Sequence, residues 1–366
     1  MKRKVWFILG HLKAGGAERV FWILSQYFDK SRFEVSLVVL DSADPFFSTD
    51  LEDVNVMHLK SVRASRSLFK LIRLIRQEKP YAIFSNGSHL NTLMAMACAF
   101  APVPLLIGRE VNVPELMASI NGSKDMFWDR FVSLAYKKIN VGICQSEEIR
   151  QSLTRRYSIP ENKLKIIPNP VIATPVTKSD HPRNKNKLLM IARLATEKGI
   201  LRMLEVMKSL PADYSLDIAG DGPLKQKVIE EIKALNLQNR VNLLGVVKNV
   251  QQLIADHSLM VLSSFTEGFP NVVLEALSVG VPVVSFKVSG VPALITNDFN
   301  GYIVEQNDLR GFRDMIIKAC NKEWYTYEIK HEVNLKFGVQ KVVSMYQDLL
   351  EPQPAINVGQ LAASTL

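Results

Sequence analysis

Cysteine is scarce in this sequence. Its 366 residues include three cysteines, Cys98, Cys144 and Cys320, and no two of them form a CxxC pair. Disulfide frameworks and structural zinc sites need cysteines at close, paired spacings, so neither is expected. Isolated thiols are typical of a reducing compartment, and we therefore expect a cytoplasmic protein.

Long apolar runs are absent as well. The longest apolar stretch, residues 93–107, is interrupted by Pro102 and Pro104 and is too short for a membrane-spanning helix. The basic N-terminus is followed by only a short apolar run, residues 5–9, and by no small-residue cleavage site. We therefore interpret residues 5–9 as a buried first strand and not as part of a signal peptide.

The sequence also lacks recognisable nucleic-acid-binding motifs. No zinc-finger, RNP-type or basic-zipper pattern occurs, although the formal net charge is +9. We therefore predict no nucleic-acid partner. The excess of basic residues indicates either anionic ligands or an anionic membrane surface.

Short apolar segments alternate with amphipathic helical segments along the whole chain. This alternation predicts an α/β fold with parallel sheets covered by helices on both faces. The polar segment 173–187, ATPVTKSDHPRNKNK, has no periodicity and is interpreted as a linker. The predicted parts are a Rossmann-like N-terminal domain (1–172), the linker (173–187), a Rossmann-like C-terminal domain (188–330), a C-terminal helix (331–350) and a tail (351–366).

Ligands of open α/β sheets bind beyond the carboxyl ends of the strands. After the first predicted strand, Gly15 and Gly16 would let the backbone approach a ligand, and the next helix would direct its amides there. The spacing is not GxGxxG, so a dinucleotide is disfavoured. The alternative is an ordinary tight turn.

Two basic residues follow the first strand of the second half. Arg193 and Lys198, in IARLATEKG, could bind a pyrophosphate together, the guanidinium as a fork and the ammonium as a point charge. The alternative is a pair of solvated cations. Gly222, in AGDGPLK, is typical of a tight turn against which a nucleotide base could lie.

The segment FTEGFPNVVLEAL, residues 265–277, places Glu267 in a turn and Glu275 in an apolar helical run. Because carboxylates are rarely buried without a partner, both need an explanation. Glu275 could accept hydrogen bonds from the two hydroxyls of a ribose, and Glu267 could contact another polyol. Asn271 is predicted to cap the helix. The alternative is that both carboxylates only stabilise the helix dipole.

A dense polar group follows a strand of the first half. Arg109, Glu110 and Asn112 occur together in GREVNVP, and His89 lies in a neighbouring loop. A lone histidine is more often structural than catalytic, so His89 is only a candidate.

Together, the motifs GGAER, ARLATEKG, AGDGP and E-x7-E, with a linker after the first, resemble those of glycosyltransferase family 4. The resemblance extends over nearly the whole chain. It implies the GT-B fold, in which two Rossmann-like domains face a central cleft. The closing helix, with Phe337, Tyr346 and Leu349, is similar to the family's C-terminal helix, which crosses back onto the first domain.

The resemblance implies a retaining glycosyltransferase whose donor is a nucleotide-diphosphate sugar, with UDP as the expected nucleotide. Arg193 and Lys198 would bind the diphosphate, and Glu267 would contact the donor sugar. These three are the implied catalytic residues. No metal or other cofactor is implied. The implied donor-binding residues are Gly15, Gly16, Gly222, Phe269, Pro270, Asn271, Val272 and Glu275, the last as the ribose ligand.

The acceptor side departs from the family pattern. Many members carry a histidine after a strand of the first domain, where this chain has the GREVNVP loop. The acceptor-side candidates are therefore Arg109, Glu110, Asn112 and His89. The retaining mechanism, with a leaving phosphate oxygen taking the acceptor proton, is implied by the family and not by the spacing.

The segment 60–79 is strongly basic, with seven lysines and arginines and one acidic residue, Glu78. On a helix it would present an apolar face (Leu68, Leu71, Ile72, Ile75) and a basic face (Arg66, Lys70, Arg73). This pattern predicts docking on an anionic membrane, at the inner face of the plasma membrane, assisted by Trp128 and Phe131 beside Lys137 and Lys138. The alternative is a sheet-packed helix with a solvated basic face.

The predicted function is transfer of a hexosyl or N-acetylhexosaminyl group to a polyprenyl-diphosphate-linked or other lipid-linked glycan. The expected process is synthesis of a bacterial-type surface polysaccharide such as O-antigen, capsule or lipopolysaccharide. Two alternatives stay open. One is a UDP-sugar epimerase of the same fold, and the other is a nucleotide-sugar-binding protein without catalysis.

Overall fold

The structure is a computed structural model that describes residues 2–43, 45–61, 64–116, 126–173 and 185–351. Most of the predicted linker, and the predicted tail beyond Glu351, therefore lie outside the described residues. The rest folds around two all-parallel sheets.

The first sheet has seven described strands in the order β3-β2-β1-β4-β5-β6-β7. One of its inner strands, β1, is buried on both faces, as expected of a parallel sheet covered by helices. The strands are β1 (Arg3–His11), β2 (Phe33–Asp41), β3 (Val54–His58), β4 (Ala82–Asn86), β5 (Leu105–Arg109), β6 (Val141–Cys144) and β7 (Leu164–Ile166).

The second sheet has six described strands in the order β10-β9-β8-β11-β12-β13. Counted within the domain this is 3-2-1-4-5-6, the order of a dinucleotide-binding Rossmann sheet. The strands are β8 (Lys187–Ile191), β9 (Ser215–Ala219), β10 (Val241–Gly245), β11 (Leu259–Leu262), β12 (Val283–Phe286) and β13 (Gly301–Val304).

Helices cover both faces of each sheet. In the first half they are α1 (Gly16–Tyr27), α2 (Ala64–Glu78), α3 (Ser88–Phe100), α4 (Met126–Lys138) and α5 (Glu147–Tyr157). In the second half they are α6 (Ile200–Ser209), α7 (Lys225–Ala234), α8 (Val250–Ala255), α9 (Asn271–Ser278), α10 (Val291–Leu294), α11 (Leu309–Asn321), α12 (Thr326–Phe337) and α13 (Val339–Asp348).

The C-terminal region differs from the single helix predicted at 331–350. It contains two helices, α12 and α13, which meet at Gly338. The break coincides with a bridge between Val171 and Gly338, where the chain passes from the second domain to the first. Four elements, β3, α10, α11 and α12, had no separate counterpart in the sequence interpretation.

Helix α13 packs against the first domain. Val342, Val343 and Tyr346 are buried in the same core as Val5 and Phe7 of β1. Helix α12 packs instead against α9 of the second domain. The two helices therefore connect the domains beside the start of the linker, because Gly338 pairs with Val171. Helix α13 fixes the chain's end onto the first domain.

The three cysteines are free thiols. Burial raises the pKa of each thiol, Cys98, Cys144 and Cys320, to about 12. Because the thiolate is the reactive form, none of the three is prepared for nucleophilic chemistry.

Candidate functional site

A cleft of about 710 Å³ lies between the carboxyl ends of the two sheets. This volume is within the usual range for small-molecule sites. Its walls are the loops after β1, β5 and β6 of the first domain and those after β8, β9, β10 and β11 of the second. The cleft thus lies where open α/β sheets bind their ligands.

Lys198 and Glu267, predicted for separate roles, form one ion pair. The Lys198 ammonium lies 2.8 Å from both carboxylate oxygens of Glu267. The Ser264 hydroxyl donates a further bond of 2.6 Å to Glu267 Oε1. An ammonium has three N–H donors, so one donor of Lys198 remains for a ligand in the cleft.

Arg202 holds the loop that carries Glu267. Its guanidinium donates to the backbone oxygens of Ser263 (2.6 Å) and Ser264 (2.5 Å). The same group lies between the rings of Phe265 and Phe286, 3.8 and 4.1 Å from their centroids. Burial lowers the pKa of Arg202 to about 10, so it stays charged at neutral pH. The sequence interpretation had not identified this support.

Arg193 lines the cleft with an exposed side chain. Among the described residues, none forms an ion pair with it. Its guanidinium is therefore available to an anionic group in the cleft.

Glu275 is buried and lines the cleft, and its partner comes from the other domain. Arg19 Nη1, on α1, lies 2.7 Å from Glu275 Oε1. Burial raises the pKa of the Glu275 carboxyl, and the charge of Arg19 opposes this shift. The opening of α1, the GGAER motif, thus contains the counter-ion of the second glutamate of E-x7-E.

Asn271 was predicted to cap α9, but it does not. The helix begins at Asn271 and its N-cap is Pro270. The Asn271 side-chain Nδ2 instead donates a hydrogen bond of 2.8 Å to the Gly16 carbonyl oxygen. Its Oδ1 accepts a hydrogen bond of 2.6 Å from Asn169 Nδ2. The first backbone amides of α9, which have no partner within the helix, face the cleft with Phe269 and Val272.

Arg109 is fully buried in the cleft floor and is not an open acceptor ligand. Its guanidinium donates hydrogen bonds to the side-chain oxygens of Asn86 (2.8 Å) and Asn169 (2.5 Å). Asn86 Nδ2 in turn donates a hydrogen bond of 2.8 Å to the Ala17 carbonyl oxygen. With the Asn271 bonds, these contacts connect the start of α1, the floor of the first domain and the start of α9.

Three predicted residues do not line the cleft: Gly222, His89 and Glu110. A Cβ atom at Gly222 would lie 2.5 Å from the Leu194 carbonyl oxygen, so this glycine serves the packing of two loops. His89 is exposed on α3. Burial raises the pKa of the Glu110 carboxyl to about 6, although bonds from Val111 and Tyr136 oppose this shift.

Several cleft residues were missed by the sequence interpretation. Besides Arg19 and Asn169, they are His11, Glu18, Phe46, Phe47 and Gln145. Gln145 is almost completely buried, and its Nε2 has no hydrogen-bond partner among the described residues. Its position directly after β6 was the available signal, because a polar residue that ends a buried parallel strand lies at the ligand edge.

Within the described residues, no three His, Cys, Asp or Glu side chains are grouped so that they could hold a metal ion. The predicted independence from metal stays a prediction. No helix in the described part of the chain combines the length and apolar character needed to cross a membrane.

Comparison with known families agrees with this geometry. The model for Glycosyltransferase Family 4 matches residues 14–174, and that for Glycosyl transferases group 1 matches residues 174–341. The chain belongs to glycosyltransferase family 4. The resemblance inferred from the motifs is thereby confirmed.

This family 4 glycosyltransferase has the predicted GT-B fold. It is similar to Anabaena HepE, solved in complex with UDP and glucose, with a TM-score of 0.77 and 18% identity over 95% of this chain and 99% of that chain. It is also similar to the lipopolysaccharide outer core galactosyltransferase WaaB, with a TM-score of 0.71 and 18% identity over 94% of this chain and 98% of that chain.

Curated relatives include the UDP-Gal:alpha-D-GlcNAc-diphosphoundecaprenol alpha-1,3-galactosyltransferase of Escherichia coli. It is 23% identical over 92% of this chain and 94% of its own length. Another is the Campylobacter jejuni GalNAc-alpha-(1->4)-GalNAc-alpha-(1->3)-diNAcBac-PP-undecaprenol alpha-1,4-N-acetyl-D-galactosaminyltransferase. It is 28% identical over 89% of this chain and 91% of its own length.

Proposed function

We propose that this glycosyltransferase moves a hexosyl or N-acetylhexosaminyl group from a UDP-sugar to a lipid-linked glycan, with retention of anomeric configuration. The process would be assembly of a bacterial-type surface polysaccharide. The observation that carries the proposal is the cleft itself, which Arg193, Lys198 and Glu267 line together with the buried Glu275.

The donor would lie along the second domain. The free Lys198 donor and the Arg193 guanidinium would bind the diphosphate, which α9 would also attract through its N-terminal amides. Glu275 would accept hydrogen bonds from the ribose hydroxyls. Glu267 would orient Lys198 and contact the donor sugar.

In the reaction, the bond from the anomeric carbon to the diphosphate oxygen breaks while the acceptor hydroxyl forms a new bond to that carbon. The acceptor's proton passes to a leaving phosphate oxygen on the same face. Negative charge grows on the diphosphate in an oxocarbenium-like transition state. Fixed cations beside it stabilise that charge more than they stabilise the ground state, which accelerates the reaction.

We propose that this charge is neutralised without a metal ion, by Lys198, Arg193 and the α9 amides. The identity of the nucleotide and the acceptor is supported by relatives. HepE was solved with UDP, and the E. coli and C. jejuni relatives carry diphosphoundecaprenol and PP-undecaprenol acceptors in their names.

The test is a transfer assay with Lys198→Ala and Glu275→Ala. Each change should lower kcat/KM by at least about 100-fold, by analogy with the loss of one transition-state donor. Transfer by the wild type should persist in EDTA, and the product's anomeric coupling in NMR should match that of the donor. Arg313→Ala, on the outer surface of α11, serves as the control.

Near-normal turnover in both variants would contradict the assigned roles. Loss of activity in EDTA with rescue by Mg²⁺ would contradict metal independence. Conversion of the UDP-sugar without acceptor would favour the epimerase, and nucleotide binding without any turnover would favour a binding protein.

We further propose that the first domain docks on an anionic membrane, where a lipid-linked acceptor resides. Helices α2, α3 and α4 lie side by side, with Leu71 and Ile75 buried beneath them. Their outer side exposes Arg66, Arg73 and apolar side chains: Phe69 (75% exposed), Phe100 (62%), Leu134 (51%) and Phe131 (40%). The predicted contributions of Arg63 and the Trp128 side chain lie outside the described residues.

Sedimentation with vesicles of anionic lipid tests this surface. Arg66→Glu combined with Arg73→Glu should weaken binding at least about tenfold, because each basic residue contributes about 1 kcal/mol near the membrane. The control reverses two exposed lysines of the second domain, Lys227→Glu with Lys233→Glu. Equal losses in both pairs would indicate a general charge effect and contradict the proposed surface.

A further inference from the structure

Helices α1 and α9 touch across the cleft at their N-terminal turns. Arg19 Nη1 lies 2.7 Å from Glu275 Oε1, and the Asn271 side-chain Nδ2 donates a hydrogen bond of 2.8 Å to the Gly16 carbonyl oxygen. Gly16 and Arg19 are three residues apart on α1, and Asn271 and Glu275 are four apart on α9. Both spacings place the pair on one helix face, so the two bonds form a single contact between the domains.

The charges in this contact depend on each other. The Glu275 side chain is 7% exposed, and Arg19 is its ion-pair partner within the described residues. A buried carboxylate without a counter-ion is disfavoured, and burial accordingly raises the pKa of Glu275 while Arg19 lowers it. The first domain therefore supplies the charge that stabilises the ionised form of the buried Glu275.

We propose that Arg19 is a positioning residue that couples closure of the two domains to binding of the donor's ribose. It does so by holding the Glu275 carboxylate ionised and oriented. The proposal rests on the proposed function, in which Glu275 is the ribose ligand. In this proposal Arg19 acts on the ribose only through Glu275.

The coupling follows from population shift. In an open arrangement Arg19 leaves Glu275, and the carboxylate loses the partner that fixes its orientation toward the ribose hydroxyls. A ligand with a ribose then binds the closed arrangement better and shifts the population toward it. A ligand that has a diphosphate but no ribose gains nothing from Glu275 and should be indifferent to Arg19.

The experiment measures binding of UDP and of inorganic pyrophosphate by calorimetry, together with KM and kcat for the donor. The variants are Arg19→Gln, Arg19→Lys, Glu275→Gln and the double variant Arg19→Gln with Glu275→Gln. Arg313→Ala is the matched control, because Arg313 lies at the same 2.7 Å from Asp314 but far from the cleft. Thermal unfolding of each variant checks that it is folded.

Arg19→Gln should weaken UDP binding and raise the donor KM about 10- to 100-fold, the range for a charged hydrogen bond, with kcat changed much less. Pyrophosphate binding should stay unchanged. Arg19→Lys should restore part of the UDP affinity. In the Glu275→Gln background, Arg19→Gln should have little further effect, because its target is already absent.

Three outcomes would overturn the proposal: unchanged UDP affinity in folded Arg19→Gln, equal weakening of UDP and pyrophosphate, or an undiminished effect in the Glu275→Gln background. If Arg19→Gln does not fold, Arg19→Ala decides by the same three criteria. A wild type that binds neither UDP nor another nucleoside diphosphate would instead refute the proposed function, so the two failures are distinguishable.

Discussion

Asp217, on β9, is a buried carboxylate outside the cleft with three side-chain partners. Asn242 Nδ2 donates a hydrogen bond of 2.8 Å to Asp217 Oδ1. Lys187 Nζ and His257 Nε2 each lie 3.0 Å from Asp217 Oδ2. Burial acts to raise the pKa of Asp217, but the bonds from His257, Asn242 and Lys187 outweigh it and hold that pKa well below its ordinary value. The unfolded chain therefore takes up a proton at this group before the folded protein does.

Because the pKa of Asp217 is lower in the folded protein than in the unfolded chain, the free energy of unfolding should fall as the pH becomes acidic. We call this fall the acid limb. The contribution of Asp217 is complete above about pH 4, the ordinary Asp pKa, and is lost as the pH falls further. Asp217→Asn should lower the free energy of unfolding at pH 7 by about 3 kcal/mol, because it removes the buried carboxylate that three side chains bond, and should flatten the acid limb. Denaturant unfolding between pH 3 and 7 measures both effects.

The exposed Asp50→Asn is the control for this prediction, and it should change neither quantity. An acid limb of unchanged steepness in Asp217→Asn would show that other carboxylates determine it.

At the scale of elements, α13 shows how the C-terminus stabilises the first domain. Tyr346 is 0% exposed, and its ring centroid lies 5.7 Å from that of Phe84 on β4. Tyr346→Ala should therefore lower the free energy of unfolding by about 3–5 kcal/mol, as for other large aromatic side chains removed from a core. Lys341→Ala, on the exposed side of the same helix, should cost less than about 0.5 kcal/mol.

Urea unfolding of the two variants checks this prediction. Equal stability of Tyr346→Ala and the wild type would mean that α13 contributes little to the first domain's core. A selective loss in Tyr346→Ala would show that the last helix is an integral part of a domain from which it is distant in sequence.

Elements were predictable to different degrees. Except for the partly exposed edge strand β3, the strands were found because their apolar runs are buried, as β1 shows. Helix α12 was missed although Ile329, Val333 and Phe337 recur at helical spacing, because its remaining residues are mixed in polarity. The break at Gly338 was also missed, because it is set by the contact with Val171 and not by a local signal.

At the scale of the whole molecule, the two domains approach each other closely at a glycine. A Cβ atom at Gly268 would lie 2.0 Å from the Val111 carbonyl oxygen of the other domain. Gly268→Ala should therefore force the domains apart near Glu267. Since a displacement of about 1 Å in a reacting geometry can cost 100-fold, kcat/KM should fall by roughly that factor.

Activity and thermal unfolding measured together test this expectation. The unfolding temperature should change little, because Gly268 belongs to neither hydrophobic core. Gly10→Ala is the control, since a Cβ there would meet its nearest atom at an ordinary 3.9 Å. Full activity of Gly268→Ala would show that the reaction does not require this close approach.

The sequence by itself determined the two α/β domains and the loops that line the second domain's side of the cleft. Strand periodicity, turn glycines and the loops bearing Lys198, Glu267 and Glu275 are local features, and a local feature is readable from adjacent residues. The tertiary structure alone decided the partners: Lys198 with Glu267, Arg109 with Asn86 and Asn169, and Glu275 with Arg19. The physical reason is that charge pairing depends on which groups burial brings together, and for Glu275 that requires two separately folded domains to meet.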